Sequence, residues 1–426
     1  MKKTINFIDL FAGIGGFHKA FEKASENLNF NINCVFVSEI DNEAKLTYTN
    51  NFNINNHEII NIREIGDNAE KVASHDFLFA GFPCQTFSNA GKKEGFNDET
   101  RGTLFFDIIK ILKNKKPKYF LLENVKHLIK HDNGNTWNII KRNLIKIGYS
   151  IPENPIVLSP WQLNIPQDRQ RVYIPGILKT NISGKNNCID KIISEKIEDY
   201  KKEFNYKLED FVEKDVDDKY YLSKKNKAEA YMLNVFKGWK EFVLKVKRLP
   251  SKTLPVIWLK EMIEPINEKE FLNYPSWKKK YLLDMKEIYK LNKTFIDKWI
   301  IKHDVFKWKK RDQKLEWQVG ANEYDFENSF IQLRQSGIRC RKPEKFPTLV
   351  AIVQVPLIFD KKQKKWRWLT PRETANLQSF PKNFKTYSDI SSKNNADYYS
   401  YKQFGNSINV DIVYMIILEM IKTYGL

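Results

Sequence analysis

The side chain best placed for chemistry in this sequence is Cys84, in the stretch Phe77-Leu-Phe-Ala-Gly-Phe-Pro-Cys-Gln-Thr-Phe-Ser88. An apolar run that reads as a central parallel strand is broken there by Gly81 and Pro83. The thiol therefore follows a strand end, where open α/β sheets place their ligands. A free cysteine is most often a small buried hydrophobe. Its position between Pro83 and Gln85, outside the apolar run, favours a nucleophile instead. An ordinary thiol has a pKa of about 8.5 and is only slightly ionised near neutrality, so that role requires activating neighbours.

Two other stretches offer such neighbours. Lys118-Tyr-Phe-Leu-Leu-Glu-Asn-Val125 reads as another apolar strand with Glu123-Asn124 at its tip. Leu121, Leu122 and Val125 around the acid predict a partly buried carboxyl of raised pKa, against the alternative of a solvated strand end. Pro166-Gln-Asp-Arg-Gln-Arg171 leads into a strand running to Ile177. In an extended chain Arg169 and Arg171 face the same side, which suits a substrate but also phosphate or solvent.

Holding these groups at strand ends calls for a parallel sheet. Thr4 to Phe11 reads as a strand that runs into Ala12-Gly-Ile-Gly-Gly-Phe17 and then a helix near His18. Glycines there let the backbone fold tightly and approach a ligand at a helix N-terminus, although such a turn alone is a weak signal. The strand from Cys34 to Ile40 ends in Glu39-Ile40-Asp41. In nucleoside-binding folds an acid at that point accepts hydrogen bonds from ribose hydroxyls. Glu39 takes this role here; Asp41 reads as a helix cap because Glu43 and Ala44 open a helical run. Ile59 to Ile62 forms a further unit, Thr100 to Phe106 starts a helix, and Ile156 to Leu158 is a short strand.

The chain has 426 residues, 42% hydrophobic and 29% charged, which suits a globular protein with one large domain and a smaller one. No apolar run reads as a membrane span, and Asp9 with the glycine turn interrupts any signal-peptide core, so the expected address is cytoplasmic. Cys34, Cys84, Cys188 and Cys340 are far apart, so neither a disulfide framework nor a structural metal is expected. A net charge of +19 favours a polyanionic partner such as nucleic acid, with lysine-driven solubility as the plainer alternative. From about Thr180 the alternation of strand and helix gives way to lysine- and tryptophan-rich sequence. Trp277-Lys-Lys-Lys-Tyr281 and Phe306-Lys-Trp-Lys-Lys-Arg311 suit a nucleic-acid surface and equally lysines snorkelling over a helix core. Arg334 to Arg341 and Phe346 to Leu349 combine phosphate donors with turn residues. The chain closes with a Pro-started helix in Leu369–Pro381 and with Gln403 to Ile408 leading into a last apolar helix.

Taken in order, these stretches resemble the motifs of the DNA (cytosine-5) methyltransferases. The resemblance covers residues 1–177 and 366–426, and the stretch between stands in place of that family's variable target-recognition region. No single motif is specific, but their order is. The implied fold is α/β: a large Rossmann-like, S-adenosyl-L-methionine-dependent domain with a smaller target-recognition domain. The implied boundaries are 1–179, 180–365 and 366–426, the last helix returning to the catalytic domain.

Asp9 to Phe17 looks like the family's S-adenosyl-L-methionine turn, so Phe11 is implied to stack on the adenine and Gly13 to approach the methionine. The implied cofactor set is Phe11, Ala12, Gly13, Ile14, Gly15, Gly16, Glu39, Ile40, Asn61, Ile62, Pro83, Leu104, Asn406 and Ser407. Gly81 to Gln85 matches the nucleophile loop, and Glu123-Asn-Val125 the loop that holds the target base. Gln167-x-Arg-x-Arg171 is similar to the strand whose arginines bind the flipped cytosine and the DNA backbone. The catalytic set is thus Cys84, Glu123, Asn124, Arg169 and Arg171, and the DNA contacts are Gln85, Ser88, Arg334, Arg339, Arg341 and Thr348. Two positions depart from the pattern: Thr86 stands where many members have proline, and Asn61 where an aspartate usually contacts the adenine.

The resemblance implies methyl transfer to a flipped-out cytosine in double-stranded DNA through a covalent Cys84 adduct, as the protective half of a restriction-modification system. It implies a monomer without metal or membrane partner, and leaves room for a cognate restriction endonuclease that shares the site without a stable complex. One rival is an RNA (tRNA) cytosine-5 methyltransferase on the same fold, against which the long insert speaks. Another is a catalytically inactive DNA-binding member, against which Cys84, Glu123 and Arg171 together speak.

Overall fold

The computed structural model describes residues 2–54, 59–65, 68–83, 104–181, 188–250, 252–347, 349 and 354–426. The chain divides into two compact units. One comprises Met1–Val212, Leu349–Val353 and Pro371–Leu426, the other Glu213–Thr348 and Gln354–Thr370.

The first unit is built on β1 (Thr4–Leu10), β2 (Asn31–Ser38), β3 (Ile59–Ile60), β4 (Phe77–Gly81), β5 (Tyr119–Val125), β6 (Tyr149–Ser150), β7 (Ile156–Leu158) and, after the two-residue β8 (Gln167–Asp168), β9 (Arg171–Leu178). Its sheet has the order β3-β2-β1-β4-β5-β9-β6, with β7 also pairing β9. β1 runs parallel to β2 and β4, and β4 to β5, while β9 is antiparallel to β5. A parallel sheet is covered on both faces, which is why Phe77 to Ala80 is apolar at every position and wholly buried.

On one face Ile8, Leu10, Leu78, Ala80, Phe120 and Leu122 share a core with the helices Leu104–Lys115 and Asn135–Lys146. On the other, Phe7, Phe77 and Phe79 surround Phe21 of helix α1 (Gly16–Leu28), with ring centroids 5.2, 4.8 and 5.2 Å from it. Each such ring contributes roughly 1.5–3 kcal/mol by leaving water. The chain leaves β1 toward β2 on one side and returns to β4 on the other. The order therefore reverses at β1, and the strand ends there open a crevice.

The C-terminal stretch Ala396–Tyr424 is apolar enough by composition to cross a bilayer, yet nearly all of its most apolar part is inside the fold. It is two helices, Ala396–Asn406 and Val410–Tyr424, broken at Ser407 to Asn409, and the second packs along α1. The helix Ile189–Phe204 also belongs to this unit, where Tyr200 donates to Glu419 at 2.6 Å. The composition change near Thr180 thus precedes Val212, where the first segment of this unit ends.

The second unit carries β10 (Ile257–Trp258), β11 (Lys314–Gln318), β12 (Phe330–Arg334), β13 (Gly337–Arg341), the short β14 (Phe346–Pro347), β15 (Leu357–Asp360) and β16 (Lys365–Trp368). Six of them form a sheet in the order β10-β11-β13-β12-β15-β16. One of its faces, through Leu315, Trp317, Ile331, Ile338 and Cys340, joins a core with Trp239 and Phe242 of the helix Lys227–Lys245 and Trp299 of the helix Ser276–His303. Buried indoles need acceptors: Trp239 donates to the Asp312 carbonyl at 3.0 Å and Trp299 to that of Gly238 at 2.8 Å. The two lysine–aromatic stretches part company, since Trp308 is in this core whereas Trp277 is 58% exposed.

Candidate active site

The glycine turn is fixed by steric contact from behind. Phe11 ends β1 by entering the left-handed region at φ 55°, and Gly13 and Gly15 follow at φ 56° and 84°. A Cβ on Gly15 would lie 2.2 Å from the Phe52 ring, and one on Gly16 2.7 Å from Ile408, so α1 starts hard against both neighbours. In front of the turn is a cavity of about 400 Å³, reached by Phe11, Ala12, Gly13, Ile14 and Gly16. Gly15 supports the turn without lining it.

Glu39 joins this turn to the end of β2. Its Oε2 accepts from the Gly13 amide at 2.8 Å, and its Oε1 from the Ile40 and Asp41 amides at 2.7 and 2.8 Å. A carboxylate has lone pairs beyond these three, and Glu39 and Ile40 both line the cavity. Asp41 caps α2 (Asn42–Asn51) by accepting from Ala44 at 3.1 Å, the role its sequence context predicts. It also pairs with Lys402 at 2.6 Å, which anchors the helix Ala396–Asn406 beside the cavity. Lys402 carries no sequence motif, and only the fold brings it here. From that same C-terminal segment Asn406 and Ser407 line the cavity.

Behind the turn, Asp9 is fully buried, and burial, reinforced by Glu39, pushes its pKa well up against the opposing pull of the His18 amide. His18 is held neutral: burial, with Lys19 adding to it, lowers its pKa to about 3, and its Nδ1 lies 2.8 Å from the Tyr48 hydroxyl.

Besides Gly15, three expected cofactor residues do not line the cavity. Asn61 is spent at the start of α3 (Ile62–Ile65), accepting from the Arg63 amide at 3.1 Å. Ile62 is buried in the core under β1 and β4, and Leu104 packs against that core. Pro83 does line the cavity.

At the opposite wall Glu123, two residues before the end of β5, lies directly beside Gly81, its partner in β4, and so beside the strand end that leads into Cys84. Asn124 donates to the Phe82 carbonyl at 2.8 Å and accepts from the Val125 amide at 2.8 Å, holding that strand end against β5. Arg171, on antiparallel β9, brings Nε to 3.2 Å from Glu123 Oε1. Burial raises the pKa of Glu123, and Arg171 and Arg169 oppose that rise without cancelling it.

Arg169 and Arg171 do not share one extended strand, because β8 stops at Asp168 and β9 begins at Arg171. Both line the cavity but serve different partners. Arg169 is buried and donates to the carbonyls of Leu349 (2.6 Å), Gly405 (2.9 Å) and Ser407 (2.7 Å). Burial, and then Arg171, lower its pKa to about 9. Arg169 thus holds the C-terminal loop that lines the cavity, whereas Arg171 faces the carboxyl. Cys84, Gln85, Ser88 and Thr348 lie outside the described residues.

This geometry can be set beside known proteins. The model of the family "C-5 cytosine-specific DNA methylase" matches residues 5–422. The chain belongs to that family. This methylase is 30% identical to the Type II methyltransferase M.BanI of Aneurinibacillus aneurinilyticus, over 98% of this chain and 95% of that protein. It is 31% identical to M.HgiCI of Herpetosiphon aurantiacus, over 99% of each. Among solved structures, the Dnmt2 methyltransferase of S. pombe shares its fold, with a TM-score of 0.55 at 17% identity over 99% of this chain and 100% of that one. The methylase is thus a DNA cytosine-5 methyltransferase with an α/β methyltransferase fold.

Arg334, Arg339 and Arg341, expected as DNA contacts, do not line this cavity; they belong to β12 and β13 in the sheet of the second unit.

Proposed function

We propose that this methylase moves a methyl group from S-adenosyl-L-methionine to the fifth carbon of a cytosine flipped out of double-stranded DNA, as the protective half of a restriction-modification system. The observation that carries the reading is one cavity with the glycine turn and Glu39 on one wall and the Glu123–Arg171 pair, beside the strand end leading into Cys84, on the other. The relatives named above, being Type II methyltransferases, support it.

The residues present fit the cofactor. An aromatic ring at Phe11, a turn whose Gly13 has open space before it, and the carboxylate of Glu39 suit an adenosine that carries an amino acid. Phe11 would stack on the adenine, Glu39 would accept from the ribose hydroxyls, and Asn406 and Ser407 would close the site. When bound, the cofactor supplies an electrophilic methyl group on a sulfonium.

Cytosine is a poor nucleophile at its fifth carbon. Addition of the Cys84 thiolate to the sixth carbon makes that fifth carbon the nucleophilic end of an enamine. Glu123, whose burial favours its protonated form, donates to ring nitrogen three and neutralises the charge that the addition develops. Arg171 holds the ring carbonyl oxygen and keeps Glu123 in place, and Asn124 ties Phe82, at the strand end before Cys84, to β5. After methylation a base removes the proton from the fifth carbon and Cys84 leaves.

Flipping the base costs a few kcal/mol, which phosphate contacts from basic side chains offset. The second unit supplies sequence choice, with Arg334, Arg339, Arg341 and Thr348 as its DNA contacts. The protein acts as a cytoplasmic monomer, beside an endonuclease that reads the same site without a stable complex.

The test is incubation with methyl-tritiated cofactor and either double-stranded DNA or tRNA. Label on DNA, recovered as 5-methylcytosine and lost in Cys84→Ala, is expected. Label on tRNA alone, or turnover that survives Cys84→Ala, overturns the reading.

A further inference from the structure

We propose that Glu316 is a positioning residue for DNA recognition: it locks Lys314, Arg334 and Arg339 into one preorganised cationic cluster on the outer face of the second unit's sheet, and that cluster contacts the duplex. The proposal rests on DNA being the substrate.

Strand alternation assembles the cluster. In β11, Leu315 and Trp317 enter the core, so Lys314, Glu316 and Gln318 share the other face. Glu316 is directly opposite Arg339 in β13, and Arg339 is opposite Gln332 in β12. Arg334 and Gly337 close the β12–β13 hairpin on that same face, and Arg341 lies on it too. Three cations converge on one carboxylate: Lys314 Nζ is 2.8 Å from Oε1, and Arg339 Nε and Arg334 Nη1 are 2.8 and 3.2 Å from Oε2. The Glu316 side chain is 9% exposed beneath them, while Lys314, Arg334 and Arg339 keep 20, 31 and 24%.

Gly337 completes the arrangement. It sits at φ +138°, and a Cβ there would lie 2.9 Å from Lys314 Cδ, so the hairpin leaves a shelf for the lysine stem.

Satisfying one buried glutamate needs one cation, not three. Gathering three leaves a surplus of positive charge whose members repel one another, an arrangement that suits an incoming polyanion. Burial raises the Glu316 pKa, but the hydrogen bonds from Lys314 and Arg339 outweigh it and keep the carboxylate charged. Arg339 spends only Nε on Glu316, and Arg334 only Nη1. Among the described residues their remaining nitrogens have no partner, and a guanidinium fork held in this way suits guanine O6 and N7 or a phosphate.

The sign of the effect separates positioning from plain electrostatics. Glu316→Gln adds one positive charge to the face, so electrostatics alone strengthens binding to every duplex and steepens its salt dependence. Positioning predicts that the cognate site loses affinity while other sequences do not.

The experiment first maps the wild-type methylation site by bisulfite sequencing of plasmid DNA. Dissociation constants are then measured by fluorescence anisotropy on a duplex with that site and on a scrambled duplex, at several salt concentrations. In Glu316→Gln the cognate-to-scrambled ratio should fall by about tenfold or more, the order of one good bidentate contact. Scrambled binding should hold or rise, and KM for cognate DNA should rise more than kcat falls. Arg339→Lys, which keeps the charge but loses the fork, should lose the same ratio without any gain on scrambled DNA. If Glu316→Gln does not fold, Arg339→Lys decides alone. A ratio within about twofold of wild type, in a variant with unaltered cofactor affinity, overturns the proposal. A wild-type protein that methylates no DNA is a different failure, that of the proposed activity.

Discussion

Glu123 Oε1 lies 3.2 Å from Arg171 Nε, and on the other side of Glu123 its strand partner is Gly81, so one buried carboxyl stands between a guanidinium and the strand end that precedes Cys84. The proposed role of Glu123 as a donor to the base requires that it hold its proton. Burial raises its pKa toward that condition and Arg171 sets how far.

The first prediction concerns pH. Arg171→Ala removes the charge that lowers the Glu123 pKa, so that pKa rises further. A group needed in its protonated form loses activity as pH climbs through its pKa. The alkaline limb that belongs to Glu123 therefore moves to higher pH in the variant. The rate itself should fall roughly 10²- to 10³-fold, as when one transition-state donor is lost. Single-turnover pH–rate profiles of both proteins check this, and a limb that moves to lower pH contradicts it.

Asn124→Ala separates loop positioning from cofactor binding. The variant loses the donor to the Phe82 carbonyl and the acceptor for the Val125 amide. A buried group left without its partner costs about 1–3 kcal/mol. Thermal stability should drop accordingly, and kcat should fall because the strand end before Cys84 is no longer tied to β5, while cofactor affinity stays near wild type. Calorimetric titration beside single-turnover rates is the measurement. A loss of cofactor affinity as large as the loss of rate would place Asn124 in the cofactor site instead.

Glu39→Ala should do the reverse. Its carboxylate organises three backbone amides, two of them at the end of β2 and one in the glycine turn. Contacts to the ribose persist in ground and transition states alike, so the dissociation constant should rise much more than the saturated rate falls. An unchanged affinity in the same titration would leave Glu39 only the backbone role.

These residues also show where sequence reading succeeds. Gly81 and Pro83 mark a strand end, and Asp41 marks a helix start, because turn and cap chemistry is local. The burial of Glu123 follows from its apolar neighbours for the same reason. Partners distant in sequence are not legible. Arg169 meets Gly405, 236 positions away, and Asp41 meets Lys402, 361 away, through packing that no local pattern encodes. At Asn61, which occupies a motif position, local turn chemistry also acts: its Oδ1 accepts from the Arg63 amide at the start of α3. Glu316 carries no motif at all, and only strand register places it opposite Arg339.

The last prediction follows from Arg169. Its two terminal nitrogens hold three carbonyls, those of Leu349, Gly405 and Ser407, and the latter two belong to the loop that presents Asn406 and Ser407 to the cavity. Arg169→Lys keeps a positive charge near Glu123 but replaces a planar fork by a point donor that cannot span those acceptors. If Arg169 touched the reacting base, the lysine variant would lose mainly kcat. Acting through the loop, it should lose cofactor affinity first, with a fall in stability of roughly 1–3 kcal/mol from the unpaired carbonyls. Titration with the cofactor and thermal unfolding with and without it distinguish the two. The expected result is weaker binding and a smaller cofactor-induced rise in Tm, with kcat at saturating cofactor less affected. A variant that binds the cofactor as wild type does but turns over slowly would move Arg169 from the loop to the reaction.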